Sequence, residues 1–263
     1  MDGHRLKTSD GIELLARHWP ATAPVRGAAV VAHGFSASKD APGVVAVAKR
    51  LAAMGLDVIG YDARGHGDSE GICTLGDHER HDVAAAVDAA RRRAPNVVLV
   101  GASMGAIAVL RHAANAQDVT GIVSVSSPAR WRIPRTPRAI AAAGLTQTAL
   151  GRWIAARRLG VRLATEWTRP EPPVSLVRRI TVPLAIVHGA ADRFIRVNEA
   201  RELARAAGAR SKLLVVPGMG HAYDRYAVPA IAEAVEWVLS LNGPTTISRH
   251  HAASTDGDAA VRS

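Results

Sequence analysis

Apolar and polar positions alternate along residues 3–8 and again along 12–19, with Asp10-Gly11 between the two runs. Period-two alternation marks a half-buried strand, and an Asp-Gly pair is a strong signal for a tight hairpin turn. The chain therefore opens with an antiparallel edge. Beyond it the pattern changes. Short, mostly apolar runs at Ala28–Ala32, Leu56–Tyr61, Val97–Val100, Val119–Val125, Val182–Val187 and Lys212–Val216 read as strands. Between them, helical spacing is found near Val44–Met54, Asp77–Ala94, the Ala-rich stretch just past Ser103, Val197–Ala207 and Ala227–Leu241. Strands alternating with helices in this way predict an α/β fold with a mostly parallel sheet and helices on both faces.

The rhythm breaks over residues 128–181. This segment holds Pro128, Pro134, Pro137, Pro170, Pro172 and Pro173 and one helical stretch around Thr146–Leu163, with no clear strand. A long insertion at the functional end of a sheet reads as a lid or binding element. The expected organisation is a core of residues 1–127 and 182–241 interrupted by a largely helical cap at 128–181. Residues 242–263 are polar and aperiodic, and are expected to form a disordered tail.

Composition adds bounds. With 263 residues, 48% of them apolar, the chain can bury a full core. No apolar run approaches a membrane span, and the start, MDGHRLKTSDG, has no hydrophobic signal region, so a soluble, cytoplasmic protein is expected. Cys73 is the single cysteine, which excludes an internal disulfide and reads as a bystander thiol. Neither CxxC nor HExxH occurs, so no metal or cofactor is expected.

A net charge of +10 suggests nucleic acid until it is mapped. Residues 128–181 contain eleven Arg and no Lys against Glu166 and Glu171 only, and so carry +9 of it. The remainder is nearly neutral, and no nucleic-acid partner is expected. The basic cap reads as a solvated surface, or as an attractor of anionic substrates or lipid headgroups, including peripheral contact with an anionic membrane.

The candidate chemistry centres on Asn96–Asn115, where an apolar run meets Gly101-Ala102-Ser103-Met104-Gly105 and a helix begins. This fits G-x-S-x-G between strand and helix, the setting in which a serine hydroxyl projects from the top of a sheet. The same pattern at Gly67–Gly71 has no strand before it and no helix directly behind, so Ser69 reads as a turn or capping serine.

A serine needs a base, and the base needs a carboxylate to orient it. His221 and Asp192 each lie just past a predicted strand, in the chain order Ser103, Asp192, His221. Asp62 reads as a loop-ordering residue and Asp224 as a helix cap. His33, His66 and His188, each beside a glycine at a strand end, read as structural. His78, His81 and His112 fall on helices, as solvated or core residues. Oxyanion donors are expected from the backbone N–H groups of Met104 and Phe35. Trp131, Trp153 and Trp167 are candidates to line an acyl pocket or to pack the cap on the core.

Five segments in order, HGF at 33–35, YDARGHGDS at 61–69, GASMGA at 101–106, HGAAD at 188–192 and GMGH at 218–221, resemble the α/β-hydrolase superfamily, most closely its branch of monoacylglycerol lipases and related esterases. The chain departs from that branch where the acid loop continues Arg193-Phe194-Ile195-Arg196 without the Val-Pro often found after the acid, in Ala102 where many lipases have His, and in its Arg-rich cap. The resemblance implies a serine esterase working through an acyl-enzyme, with Ser103, Asp192 and His221 as triad and a cap over the site. The expected substrate is a small-molecule ester such as an acylglycerol or lysophospholipid. A thioesterase, amidase, carbon–carbon hydrolase or acyltransferase on the same triad, and a non-enzymatic ligand or anionic-surface binding protein, are the alternatives.

Overall fold

The alternating start of the chain folds as a hairpin. In a computed structural model describing residues 4–131, 137–166 and 168–242, β1 (His4–Lys7) pairs antiparallel with β2 (Glu13–Trp19), and Gly11 turns between them at φ 88°. β2 lies antiparallel to β4 (Leu56–Tyr61), which joins β3 (Gly27–Ala32), β5 (Val97–Ala102), β6 (Gly121–Val125), β7 (Leu184–Gly189) and β8 (Ser211–Val216) in a parallel array. The order across the eight strands is β1-β2-β4-β3-β5-β6-β7-β8. Every residue of β3, β5, β6 and β7 is buried, which is why these strands read as unbroken apolar runs.

Side chains leave a strand alternately to its two faces, and two cores result. Val31, Val98, Val100, Val123 and Val187 pack with α1 (Pro42–Ala53) and α8 (Ala227–Ser240). Val30, Leu99, Ile122 and Ile186 pack on the opposite face with α2 (Glu79–Arg91), α3 (Met104–Ala116) and α7 (Val197–Ala206). Fully burying one such side chain is worth roughly 1.5–3 kcal/mol, so this three-layer body holds most of the stabilising apolar contact.

Between β6 and β7 the chain forms α4 (Pro137–Gln147), α5 (Ala149–Leu159), the short α6 (Pro173–Leu176) and a 3₁₀ turn at Val177–Arg179. The helical stretch expected around Thr146–Leu163 corresponds to α5, and α4, before it, was not expected. Thr148 leaves the helical region (φ −100°, ψ 152°), and its hydroxyl accepts the Gly151 N–H at 2.9 Å, which starts α5 afresh. Gly160, left-handed at φ 64°, ends it. The chain beyond is tied to the loop after β4: Arg162 N–H donates to Gly65 O at 2.8 Å, Cys73 N–H to Arg162 O at 2.7 Å and Ala164 N–H to Cys73 O at 2.9 Å.

Among the described residues no helix is long and apolar enough to cross a membrane. Asn242 donates its side-chain amide to Val238 O and Thr120 O. The rest of the expected tail lies outside the described residues, as does Trp167.

Three histidines sit buried at strand ends. His33 donates from Nδ1 to Gly34 O at 2.8 Å and accepts the Ala63 N–H on Nε2 at 3.0 Å. His66 donates to Arg64 O and lies edge-on to His33, and His188 donates to Ile195 O. Burial lowers the pKa of all three, that of His33 from 6.5 to about 3. Below the unfolded value, therefore, the unfolded chain binds protons that the folded one refuses. Stability is intact above pH 6.5 and drains as the pH falls towards the folded values, by about 1.4 kcal/mol per pH unit for each such imidazole. The urea midpoint is expected to fall steadily with acidification below pH 6.5, with a shallower slope in His33→Gln. A midpoint independent of pH over that range would contradict neutral, buried imidazoles.

Gly105, at the start of α3, is a second point of stress. A Cβ there would stand 2.5 Å from Ala32 O and 2.6 Å from His33 O, both backbone atoms with no freedom to retreat. Gly105→Ala is expected to destabilise by about 2 kcal/mol. By calorimetry this lowers Tm by roughly 5 °C.

Candidate active site

The elbow between β5 and α3 sets the site. Ser103 takes φ 53°, ψ −113°, a conformation costing a non-glycine residue roughly 1–3 kcal/mol that persists only when its surroundings impose it. They do so here. Ser103 N–H donates to Val125 O of the neighbouring strand at 2.9 Å, and a Cβ on Gly101 would lie 2.4 Å from Gly105 O. Strand and helix thus pass at backbone contact, and the serine hydroxyl stands proud of the crossing.

The other two residues arrive from adjacent strands. Past β7, Asp192 has a fully buried side chain (0% exposed) and its Oδ1 accepts the N–H groups of Phe194 at 2.8 Å and Ile195 at 3.0 Å. Past β8, His221 donates from Nδ1 to Asp192 Oδ2 at 2.7 Å. That tautomer leaves Nε2 as acceptor for the Ser103 hydroxyl, 3.0 Å away. Burial on its own would raise the Asp192 pKa; the bonds from His221, Ile195 and Phe194 outweigh it, and the net shift is downward. The carboxylate therefore stays ionised beside the imidazole.

Two amides near Ser103 are unengaged. Met104 opens α3, so its N–H has no intrahelical partner, and neither it nor Phe35 N–H donates to any acceptor among the described residues. Gly34 brings the second loop in: a Cβ built on it would lie 3.4 Å from Ser103 Cβ. An oxygen gaining negative charge at Ser103 would lie at the positive end of α3.

The remaining candidates fall elsewhere. Ser69 is wholly buried, where its hydroxyl donates to Asp62 O at 2.7 Å and accepts Leu15 N–H at 2.9 Å, joining β2 to the loop after β4. Asp62 orders its loop by accepting Lys39 N–H at 2.7 Å and Lys39 Nζ at 2.9 Å. Asp224 caps the start of α8 through Tyr226 N–H and Ala227 N–H, and also holds Gly220 N–H. His112 bonds Asp118 and His81 bonds Ser9, while His78 lies at the start of α2. Trp131 donates its indole N–H to Pro170 O. Trp153 is 58% exposed, with the Arg157 guanidinium 5.8 Å over its ring. Cys73 is buried, its Sγ 3.5 Å from Met104 Sδ.

Three contributors escape sequence reasoning. The Phe194 ring packs on His221, centroids 5.1 Å apart; its one trace in the sequence is an acid loop, Arg193-Phe194-Ile195-Arg196, that lacks Val-Pro. Ser126, at the end of β6, accepts Ala222 N–H on its hydroxyl at 3.2 Å, steadying the loop next to His221. The Tyr223 hydroxyl lies 3.0 Å from Ala32 O and 3.1 Å from Val100 O, bridging the ends of β3 and β5, and nothing in the sequence announces it.

Solved structures share this architecture. An esterase from Pyrococcus furiosus, Pf2001, superposes with a TM-score of 0.70 over 92% of this chain and 91% of its own, at 20% identity. Est1E of Butyrivibrio proteoclasticus, solved with ferulic acid, gives 0.65 over 90% and 98% at 22% identity. A putative aryl esterase from Burkholderia cenocepacia gives 0.72 over 91% and 100% at 18% identity. At such identities the likeness is one of fold. No curated protein sequence matches the chain. A family description does: the pattern for serine aminopeptidases of the S33 group matches residues 23–175, from before β3 through the elbow into α6. Asp192 and His221 lie beyond that stretch and stand on their own geometry, but the match spans more than half the sequence, and the protein is a member of the S33 serine aminopeptidase family of α/β-hydrolases.

Proposed function

We propose that the protein is a serine hydrolase of carboxylic esters with an apolar acyl group. One observation carries the reading: an unbroken line of hydrogen bonds from a buried carboxylate through His221 to Ser103, with two unengaged amides beside the hydroxyl. Ser103 Oγ attacks the ester carbonyl as His221 Nε2 takes its proton, and Asp192 steadies the imidazolium that forms. Phe35 and Met104 hold the oxyanion; one such donor is commonly worth roughly 3 kcal/mol of barrier. The proton passes to the departing alkoxide, and water, activated in the same way, releases the acid from Ser103.

The family's name points to peptide bonds, and the charge of the protein argues for esters instead. An aminopeptidase must hold a cationic amino terminus. The segment between β6 and β7 offers eleven Arg against Glu166 and Glu171, and Glu171 is engaged by Arg179 through two bonds. Acylglycerols, lysophospholipids and other acyl esters carry no such cation requirement. Thioester, amide or carbon–carbon cleavage and acyl transfer use the same attack and separate by substrate.

Ser103→Ala is expected to lower kcat for p-nitrophenyl esters by roughly 10⁴-fold or more and to abolish fluorophosphonate labelling. Labelling that survives in this variant refutes the nucleophile. Asp192→Asn, which preserves shape but favours the wrong imidazole tautomer, is expected to lose about 10⁴-fold in kcat. A kcat within tenfold of wild type would remove Asp192 from the triad. In matched series sharing one acyl group, kcat/KM is expected to rank ester above amide and aminoacyl amide; the reverse order would restore the peptidase reading.

A further inference from the structure

Helix α5 is built inside out for a helix of a solvated protein. Its buried residues are Gly151 and Ala155. A Cβ on Gly151 would lie 2.2 Å from Gly144 O and 2.6 Å from Leu145 O, so α4 and α5 pack through their smallest residues. The large apolar side chains face out: Leu150 is 68% exposed, Trp153 58% and Ile154 37%, and Ile140 on α4 is 56% exposed. Spaced 3 and 4 apart, Leu150, Trp153, Ile154, Arg157 and Arg158 form one stripe along the helix. A contiguous apolar patch on a protein surface marks something that covers it.

The charge around the stripe identifies the cover. Arg157 and Arg158 form its end, Arg152 lies beside it, and no Asp or Glu occurs between residues 137 and 159. A second protein would need its own acidic rim, and a second copy of this face would oppose arginine to arginine. A membrane surface with anionic headgroups satisfies both parts at once, because aromatic and aliphatic side chains enter the headgroup boundary while arginines stay at the phosphates. We infer that the outer face of α5 docks the protein on anionic phospholipid bilayers, with Leu150, Trp153 and Ile154 inserted and Arg152, Arg157 and Arg158 bound to the headgroups. This surface is independent of the ester-hydrolase reading, and Ser103→Ala would dock unchanged.

The test is co-sedimentation of the full chain with vesicles of phosphatidylcholine alone and of phosphatidylcholine mixed with phosphatidylglycerol, over a salt series. Binding is expected to be at least about tenfold stronger to the anionic vesicles and to weaken as salt rises. Arg157→Gln with Arg158→Gln should lower partitioning roughly 25-fold, about fivefold per arginine. Leu150→Ser with Ile154→Ser should lower it by about tenfold or more. Both pairs should leave circular dichroism and p-nitrophenyl acetate turnover unchanged. Negligible or equal binding of the unaltered protein to the two compositions overturns the inference without recourse to any variant. So does a dimer in sedimentation velocity that Leu150→Ser dissolves, which would assign the stripe to a second copy.

Discussion

The closeness of β5 and α3 at the elbow is the constraint on which the rest of the site depends. Gly101 and Gly105 let two backbones touch, and that contact drives Ser103 into a left-handed turn that no local preference favours. The strain is held from both sides: Val125 O on β6 fixes the serine amide, and Ala32 O and His33 O on the β3 side leave Gly105 no room for a side chain. A hydroxyl raised in this way is useful only if the sheet also delivers partners. The strand order does so, since β5, β6, β7 and β8 lie side by side and end in the same direction, bringing residues 103, 192 and 221 to one rim.

Burial at that rim acts differently on its carboxylate and its imidazoles. Asp192 keeps its charge because three donors converge on it. His33 and His188, both buried, donate to the backbone carbonyls of Gly34 and Ile195, and burial lowers the pKa of each even though His188 Nε2 also stands 3.6 Å from Asp192 Oδ2.

Much of this was legible in the sequence because it is local. Wholly buried parallel strands are apolar whichever way a residue points, so each of β3 to β7 announces itself, and the loops that follow carry Gly, Asp and His in recognisable order. What stayed hidden depends on tertiary contact. Helix α4 before Thr148 went unread, and only the extended backbone of Thr148 and its bond to Gly151 reveal the cap that divides α4 from α5. The outward face of α5 was equally invisible, since apolar residues at helical spacing ordinarily point inward, and here Gly151 and Ala155 claim the inner side. Ser126, Phe194 and Tyr223 act through contacts that no short-range pattern encodes.

The Tyr223 hydroxyl, lodged between Ala32 O and Val100 O, has a bearing on how this architecture tolerates change. Two residues from His221, it docks that loop onto the ends of β3 and β5. The position of the imidazole is therefore tied to the interstrand spacing as well as to the bonds that Ser126 and Asp224 make within and beside its loop. A shift between β3 and β5 is thereby transmitted to the Ser103 hydroxyl and the His221 ring together.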